Sequence, residues 1–186
     1  MAARDIMPWH TPHGSQAVRW GQMTASEAFE AGEPVGVVNA GTLTEPPDDA
    51  TQWIIGDVDG GLEAGIAVFG PGASNINPRT GVAFATGDDI AYWPINQGTV
   101  FITSNFFAAG AGSTVAPAQT DVGEPYQITH ATATSPAGWG VEQTAGVYGV
   151  DILATIIEVL DTNKDPIRLT GGTGVYVLFT IDATIG

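Results

Sequence analysis

Two segments of this chain open alike, and together they restrict what it can fold into. Gly32-Glu33-Pro34-Val35-Gly36-Val37 and Gly123-Glu124-Pro125-Tyr126-Gln127-Ile128 each place a loop-breaking Gly-Glu-Pro ahead of alternating residues. Glycine frees the turn, and proline fixes the entry to a strand while keeping that end off a central ladder. The offset is 91 residues; Ala40 then matches Ala131, and a Trp follows each copy, Trp53 and Trp139. Either the chain carries a degenerate duplication, with β halves around 17–70 and 99–160, or two unrelated strands both begin with proline.

The remaining punctuation favours strands throughout. With 25 Gly, 12 Pro and 44% hydrophobic residues, the chain is too apolar for disorder and too rich in Gly, Pro and Thr for a helical bundle. Strand-like runs occur at Thr51–Val58, Glu63–Phe69, Gly81–Ala85, Ile90–Ile95, Thr99–Thr103, Ile167–Thr170 and Val175–Ile181. Gly81–Ala85 is expected to pair with Ile90–Ile95 across Gly87-Asp88-Asp89. Val150–Leu160 fits a helical template as well, but six of its eleven residues are β-branched, which favours a strand. Thr24–Glu30 is the best short helix, with Thr24 as N-cap and Glu27 at the reciprocal position. Ala108–Ala118 reads as a long surface loop. The expected fold is all-β, a compact β-barrel or β-sandwich of about ten to twelve short strands.

Residues 1–16 hold two Pro, two His and a Trp without periodicity, and read as an extended N-terminal arm ahead of an all-β domain at 17–186. Fully extended, such an arm reaches about 50 Å at ~3.3 Å per residue. Its apolar residues Ile6, Met7, Pro8 and Trp9 either cover another surface or pack back on their own domain. Deletion of 1–16 is expected to leave the fold intact.

Charge narrows the partners. Twenty acidic residues against five basic ones give a formal charge of −15, which repels phosphate backbones and anionic membrane surfaces. No nucleic acid and no membrane are therefore expected as partners. The first residues, Met1-Ala2-Ala3-Arg4-Asp5, lack a signal peptide's apolar core, and no run approaches a bilayer-spanning length. There is no Cys, hence no disulfide or thiolate site.

Catalytic and metal patterns do not assemble. His10-Thr11-Pro12-His13 brings two imidazoles together, but Pro12 prevents a helical ligand face and His130 is far along the chain. Asp161-Thr162-Asn163-Lys164-Asp165 begins like a calcium loop, yet Pro166 stands where glycine is needed and Gly172 where the bidentate Glu belongs. Asp57-Val58-Asp59-Gly60-Gly61 with Glu63 reads as a hairpin turn rather than a cation site. Asp48-Asp49 and Asp88-Asp89 fall in loops, and no Gly-x-Ser-x-Gly elbow or phosphate loop is present. No catalytic, cofactor or metal residue is expected, and no enzyme. Trp53, Trp93 and Trp139 are either core residues or stacking platforms for sugar rings.

With the arm, the Cys-free acidic composition, the two Gly-Glu-Pro openings and the closing Gly174-Val175-Tyr176-Val177-Leu178-Phe179-Thr180-Ile181-Asp182 strand, the chain resembles the capsid decoration, or cement, proteins of tailed bacteriophages. The resemblance implies a homotrimer made in the host cytoplasm and placed on the capsid exterior, where it clamps neighbouring major capsid proteins. It also implies that Ile6, Met7, Pro8 and Trp9 touch capsid or neighbouring subunits. The alternative is a carbohydrate- or surface-binding β module of a tail or fibre.

Overall fold

The computed structural model describes residues 6–10, 18–23, 31–37, 42–44, 63–68, 77, 79–83, 85, 87–95, 98–110, 112–131, 138–146 and 153–182. Apart from one 3-10 turn and one single-turn helix, the regular structure among them is all-β. Twelve strands are described, and the first six are β1 (Met7–His10), β2 (Arg19–Met23), β3 (Pro34–Val37), β4 (Thr42–Thr44), β5 (Glu63–Ala67) and β6 (Asp89–Pro94). The other six are β7 (Val100–Thr103), β8 (Phe106–Phe107), β9 (Pro125–Ala131), β10 (Gly138–Ala145), β11 (Leu153–Leu160) and β12 (Tyr176–Asp182). The 3-10 turn is Gln119–Asp121, and the helix, α1, is Ile167–Thr170.

β2 to β6 pair in a closed ring, in the order β2-β4-β3-β5-β6 and back to β2. Only β2 and β4 run parallel; the other four contacts are antiparallel. Ring closure removes the open edges that a small sheet would otherwise expose.

The larger sheet runs β1-β7-β12-β11-β9-β10-β8. β8 lies at one end and β7 near the other, yet only Ser104 and Asn105 separate them in sequence. Two residues span at most a few ångströms each, so this sheet has to curl until its ends meet. One bent strand, β7 plus β8, then does what β2 does in the small ring. Its first part lies antiparallel to β12 and its second part parallel to β10, as β2 pairs antiparallel with β6 and parallel with β4. Asn105 pins the bend. Its N–H donates to Thr103 Oγ1 at 3.0 Å and its Nδ2 to the Trp139 carbonyl at 3.0 Å, while Val141 N–H donates to the Asn105 carbonyl at 2.9 Å. The strands approach so closely here that a Cβ on Gly140 would lie 2.3 Å from that carbonyl oxygen.

The same wiring therefore occurs twice, as β2-β4-β3-β5-β6 over 19–94 and as β7/β8-β10-β9-β11-β12 over 100–182. The Gly-Glu-Pro segments occupy matching places in it. Gly32 and Gly123 both take positive φ, +84° and +93°, the region open to glycine at little cost. Gly32 N–H donates to the Ala67 carbonyl at 2.9 Å, and Ala67 N–H returns to Glu33 at 2.7 Å. Gly123 N–H donates to Ile156 at 2.7 Å, and Ile156 N–H returns to Glu124 at 3.2 Å. Pro34 then faces Ile66, and Pro125 faces Thr155. Each unit is longer than the expected 17–70 and 99–160, because a fifth strand closes it.

Among the described residues, the main buried cluster is drawn mostly from the second unit. Phe101, Phe106, Ile128, Val141, Ile156, Val159, Val177 and Phe179 form one buried cluster, which Ile66 of β5 and Ile6 also join. Phe101 and Phe179 stack with centroids 6.0 Å apart. On the opposite face, Ile102, Leu160 and Leu178 make a smaller cluster with Met7, Val100 and Tyr176 packed against it.

β1 lies antiparallel to β7, with Met7 opposite Ile102 and Pro8 opposite Phe101. The segment expected as a separate arm thus packs back on its own chain over residues 6–10, and the rest of 1–16 lies outside the described residues. Removing 1–16 would take Ile6, which is fully buried, out of the core, so such a deletion is not neutral for the fold.

Two strand expectations are corrected. Ile167–Thr170 is helical: period-two alternation would put Ile167 and Leu169 on one face, but Ile167 is 6% exposed and Leu169 72%. Gly171, at φ +67°, donates its N–H to the Ile167 carbonyl and ends the turn. None of the described residues of Gly81–Ala85 pairs with β6. Asn77 curls the chain there, its Oδ1 accepting from Arg79 N–H at 2.9 Å and its carbonyl from Gly81 N–H at 2.8 Å. β6 pairs with β2 and β5 instead. The β11 and β12 strands lie within their expected segments, save that β12 runs one residue on to Asp182. The described residues of Ala108–Ala118 contain no strand, although Thr114 bridges Phe107. Thr24–Glu30 and Thr51–Val58 lie outside the described residues.

Candidate functional site

The four arm residues have different surroundings. Ile6 is core; Met7 and Pro8 are half-buried; Trp9 is 44% exposed. Register explains the last. Pro8 faces Phe101 and His10 faces Val100, so Trp9 has no counterpart and forms a bulge. A bulge re-aims the side chain it carries, and here both Trp9 and His10 are turned toward solvent. β1 has β7 on one side only, and its Pro8 is of a type confined to such edges.

Lys164 joins Trp9 from the loop between β11 and α1. Its ammonium lies 5.1 Å from the Trp9 ring centroid and 5.9 Å from that of Tyr176, within the range of cation–π attraction. Lys164 is held at φ +67°, the sole non-glycine at positive φ among the described residues. Asp161 organises this loop: its Oδ1 accepts from Asn163 N–H at 2.8 Å and Asp165 N–H at 3.0 Å. The residues that begin like a calcium loop thus form a backbone turn stabilised by Asp161.

Other acidic groups have structural partners too. Asp121, 4% exposed, accepts from Ala118 N–H at 2.7 Å, Tyr126 Oη at 2.8 Å and Gln143 Nε2 at 3.0 Å. Removal from water, and then the Asp121 carboxylate, push the Tyr126 phenol above its usual range. A folded-state value raised in this way leaves its stabilisation complete below the unfolded tyrosine value, about 10, and lost as pH climbs beyond it. Glu142, also buried, accepts from Gly110 N–H at 2.7 Å and from the Thr144 hydroxyl. Asp88 Oδ2 accepts from Ala85 N–H at 2.9 Å, and Asp89 pairs with Arg79 at 3.0 Å. These groups tie loops to strands.

Among the described residues, no group of three or more His, Cys, Asp or Glu is placed to hold a metal ion. No helix among them is long and apolar enough to cross a membrane. Of the tryptophans weighed as sugar platforms, Trp139 is buried against His130, centroids 5.4 Å apart, and Trp93 packs on the core. Trp53, Asp48-Asp49 and the segment 57–61 lie outside the described residues, as does His13. Among the described residues, the half-exposed tryptophans are Trp9 and Trp20, the latter with the Arg79 guanidinium 4.6 Å from its ring centroid.

Sequence reading singled out Trp9, with Ile6, Met7 and Pro8, as a contact residue, and did not single out Lys164 or Tyr176. The one usable signal was that Lys164 is the single lysine of the chain, set within a polar turn. Comparison with known proteins gives no family model, no curated protein and no solved structure that matches the chain.

Proposed function

We propose that this chain is a virion structural protein that binds the outer surface of a phage capsid and stabilises it by clamping neighbouring major capsid proteins, acting as a homotrimer. The observation that carries this reading is the β1 edge. A bulge turns Trp9 outward from a strand that Ile6 anchors in the core, giving an aromatic contact residue on a rigid support. Trimerisation would multiply a modest contact of this kind into strong attachment. The net charge of −15 would keep coated particles from adhering to one another or to their DNA.

The test is to add the purified protein to heads assembled without it and to follow co-sedimentation and resistance to heat. Binding with raised head stability, weakened by Trp9→Ala, is the expected result. Failure to bind any head form, together with Trp fluorescence quenching by a polysaccharide, would transfer the chain to the carbohydrate-binding class. Trp9→Ala replaces the proposed deletion of 1–16, because the side chain can be removed without unseating Ile6.

A further inference from the structure

We propose that Lys164, held against Trp9 and Tyr176, is the docking anchor for a carboxylate on the partner protein's surface. The inference rests on the capsid-binding reading and names the chemistry of its contact. Three observations converge on this spot. First, Arg79 is paired with Asp89, and Arg168 donates from Nε to both oxygens of Glu158 at 2.9 and 3.1 Å. Lys164 forms no ion pair with a carboxylate among the described residues, so its charge is available. Second, its backbone sits at φ +67°, a conformation that costs a non-glycine residue energy and that clusters at working surfaces. Third, the one bulge of β1 delivers Trp9 beside it. Two costly local conformations thus meet at a cation framed by two aromatic rings.

Charge selects the ligand. In a chain carrying −15, with Asp161 and Asp165 in the same loop, a phosphate dianion would meet about twice the repulsion of a single carboxylate. Covering the pair with Trp9 and Tyr176 would exclude water and strengthen it, and aromatic residues around a central contact are the composition of interface hot spots.

The test uses the full chain and heads assembled without it. Carbodiimide, which joins an amine directly to a carboxylate, is applied to the bound complex, and cross-links are located by mass spectrometry. Lys164 is expected to join an Asp or Glu of the major capsid protein. Lys164→Glu and Trp9→Ala should each weaken binding about tenfold or more, whereas Lys164→Arg, which keeps the charge, should bind nearly as wild type. Near-UV circular dichroism checks that each variant keeps its tertiary packing. If wild type binds heads but Lys164→Glu and Trp9→Ala bind equally well, the anchor is overturned and the capsid reading stands. Cross-linking of Lys164 only to a second copy of this chain would also overturn it. If wild type binds no head, both readings fail together.

Discussion

The two ringed units share one wiring, and the hydrogen bonds at the entry of their second strands match. Among the described residues, the ten largest fully buried side chains include Phe101, Phe106, Phe107, Ile102, Ile128, Leu153 and Phe179 from residues 100–182 and Ile66 and Ile90 from residues 19–94. A pairing scheme therefore recurs with different side chains along its strands when its turns are kept. The matched hydrogen bonds at Gly32 and Gly123 are backbone features, indifferent to the size of the side chains within each ring. Ile66 shows how the units are joined, since it packs into the cluster built by Phe101, Phe106 and Phe179.

The strongest challenge to that comparison is to remove core volume on each side. Phe179→Ala should cost about 3–5 kcal/mol and Ile66→Ala about 2–5 kcal/mol, measured by urea unfolding with fluorescence and circular dichroism in parallel. Because both residues belong to one cluster, both variants should shift a single common transition. Two separated transitions would make the units independent. A smaller effect sharpens the contrast at the two places where one strand changes partners. Asn105→Ala removes a buried hydrogen bond to the Trp139 carbonyl and should cost about 1–3 kcal/mol. Gln22 makes the equivalent change, facing both Asp89 and Thr42, but is exposed; Gln22→Ala should stay within about 0.5 kcal/mol. A further pair of variants tests equivalence itself. Gly32→Ala and Gly123→Ala should each cost about 1–2 kcal/mol, the left-handed penalty of an L-residue, by the same unfolding measurement. Nothing lies within 4 Å of a Cβ at Gly123, so any excess there would point to something other than backbone conformation.

Local chemistry made the strands and the repeat readable. Six β-branched residues in Val150–Leu160 pointed to β11, and Pro34 and Pro125 marked the entries of β3 and β9. Ring closure was not readable, because it depends on Ser104-Asn105 bending one strand between two partners, and that bend is stabilised by Trp139 and Val141, far away in sequence. Ile167–Thr170 was misread because four residues hold too little pattern to separate period two from a single helical turn. The outcome there is set by Gly171 and by the Arg168–Glu158 pair across the loop. The site was half legible. Trp9 stood out in a polar, unpatterned stretch, whereas Lys164 reaches it only through the register of β1 on β7 and of β12 on β11.

The docking of β1 also sets an order of events during synthesis. Ile6 leaves the ribosome more than ninety residues before Phe101, its neighbour in the cluster, and about 170 before Phe179. Until the last strand is made, this apolar segment has no finished surface to settle on and is open to proteases. Contacts of such sequence separation form slowly. Resistance of the bond after Trp9 to a protease cutting at aromatic residues should therefore appear only once β12 has been released, which makes that single cleavage site a reporter of completed folding.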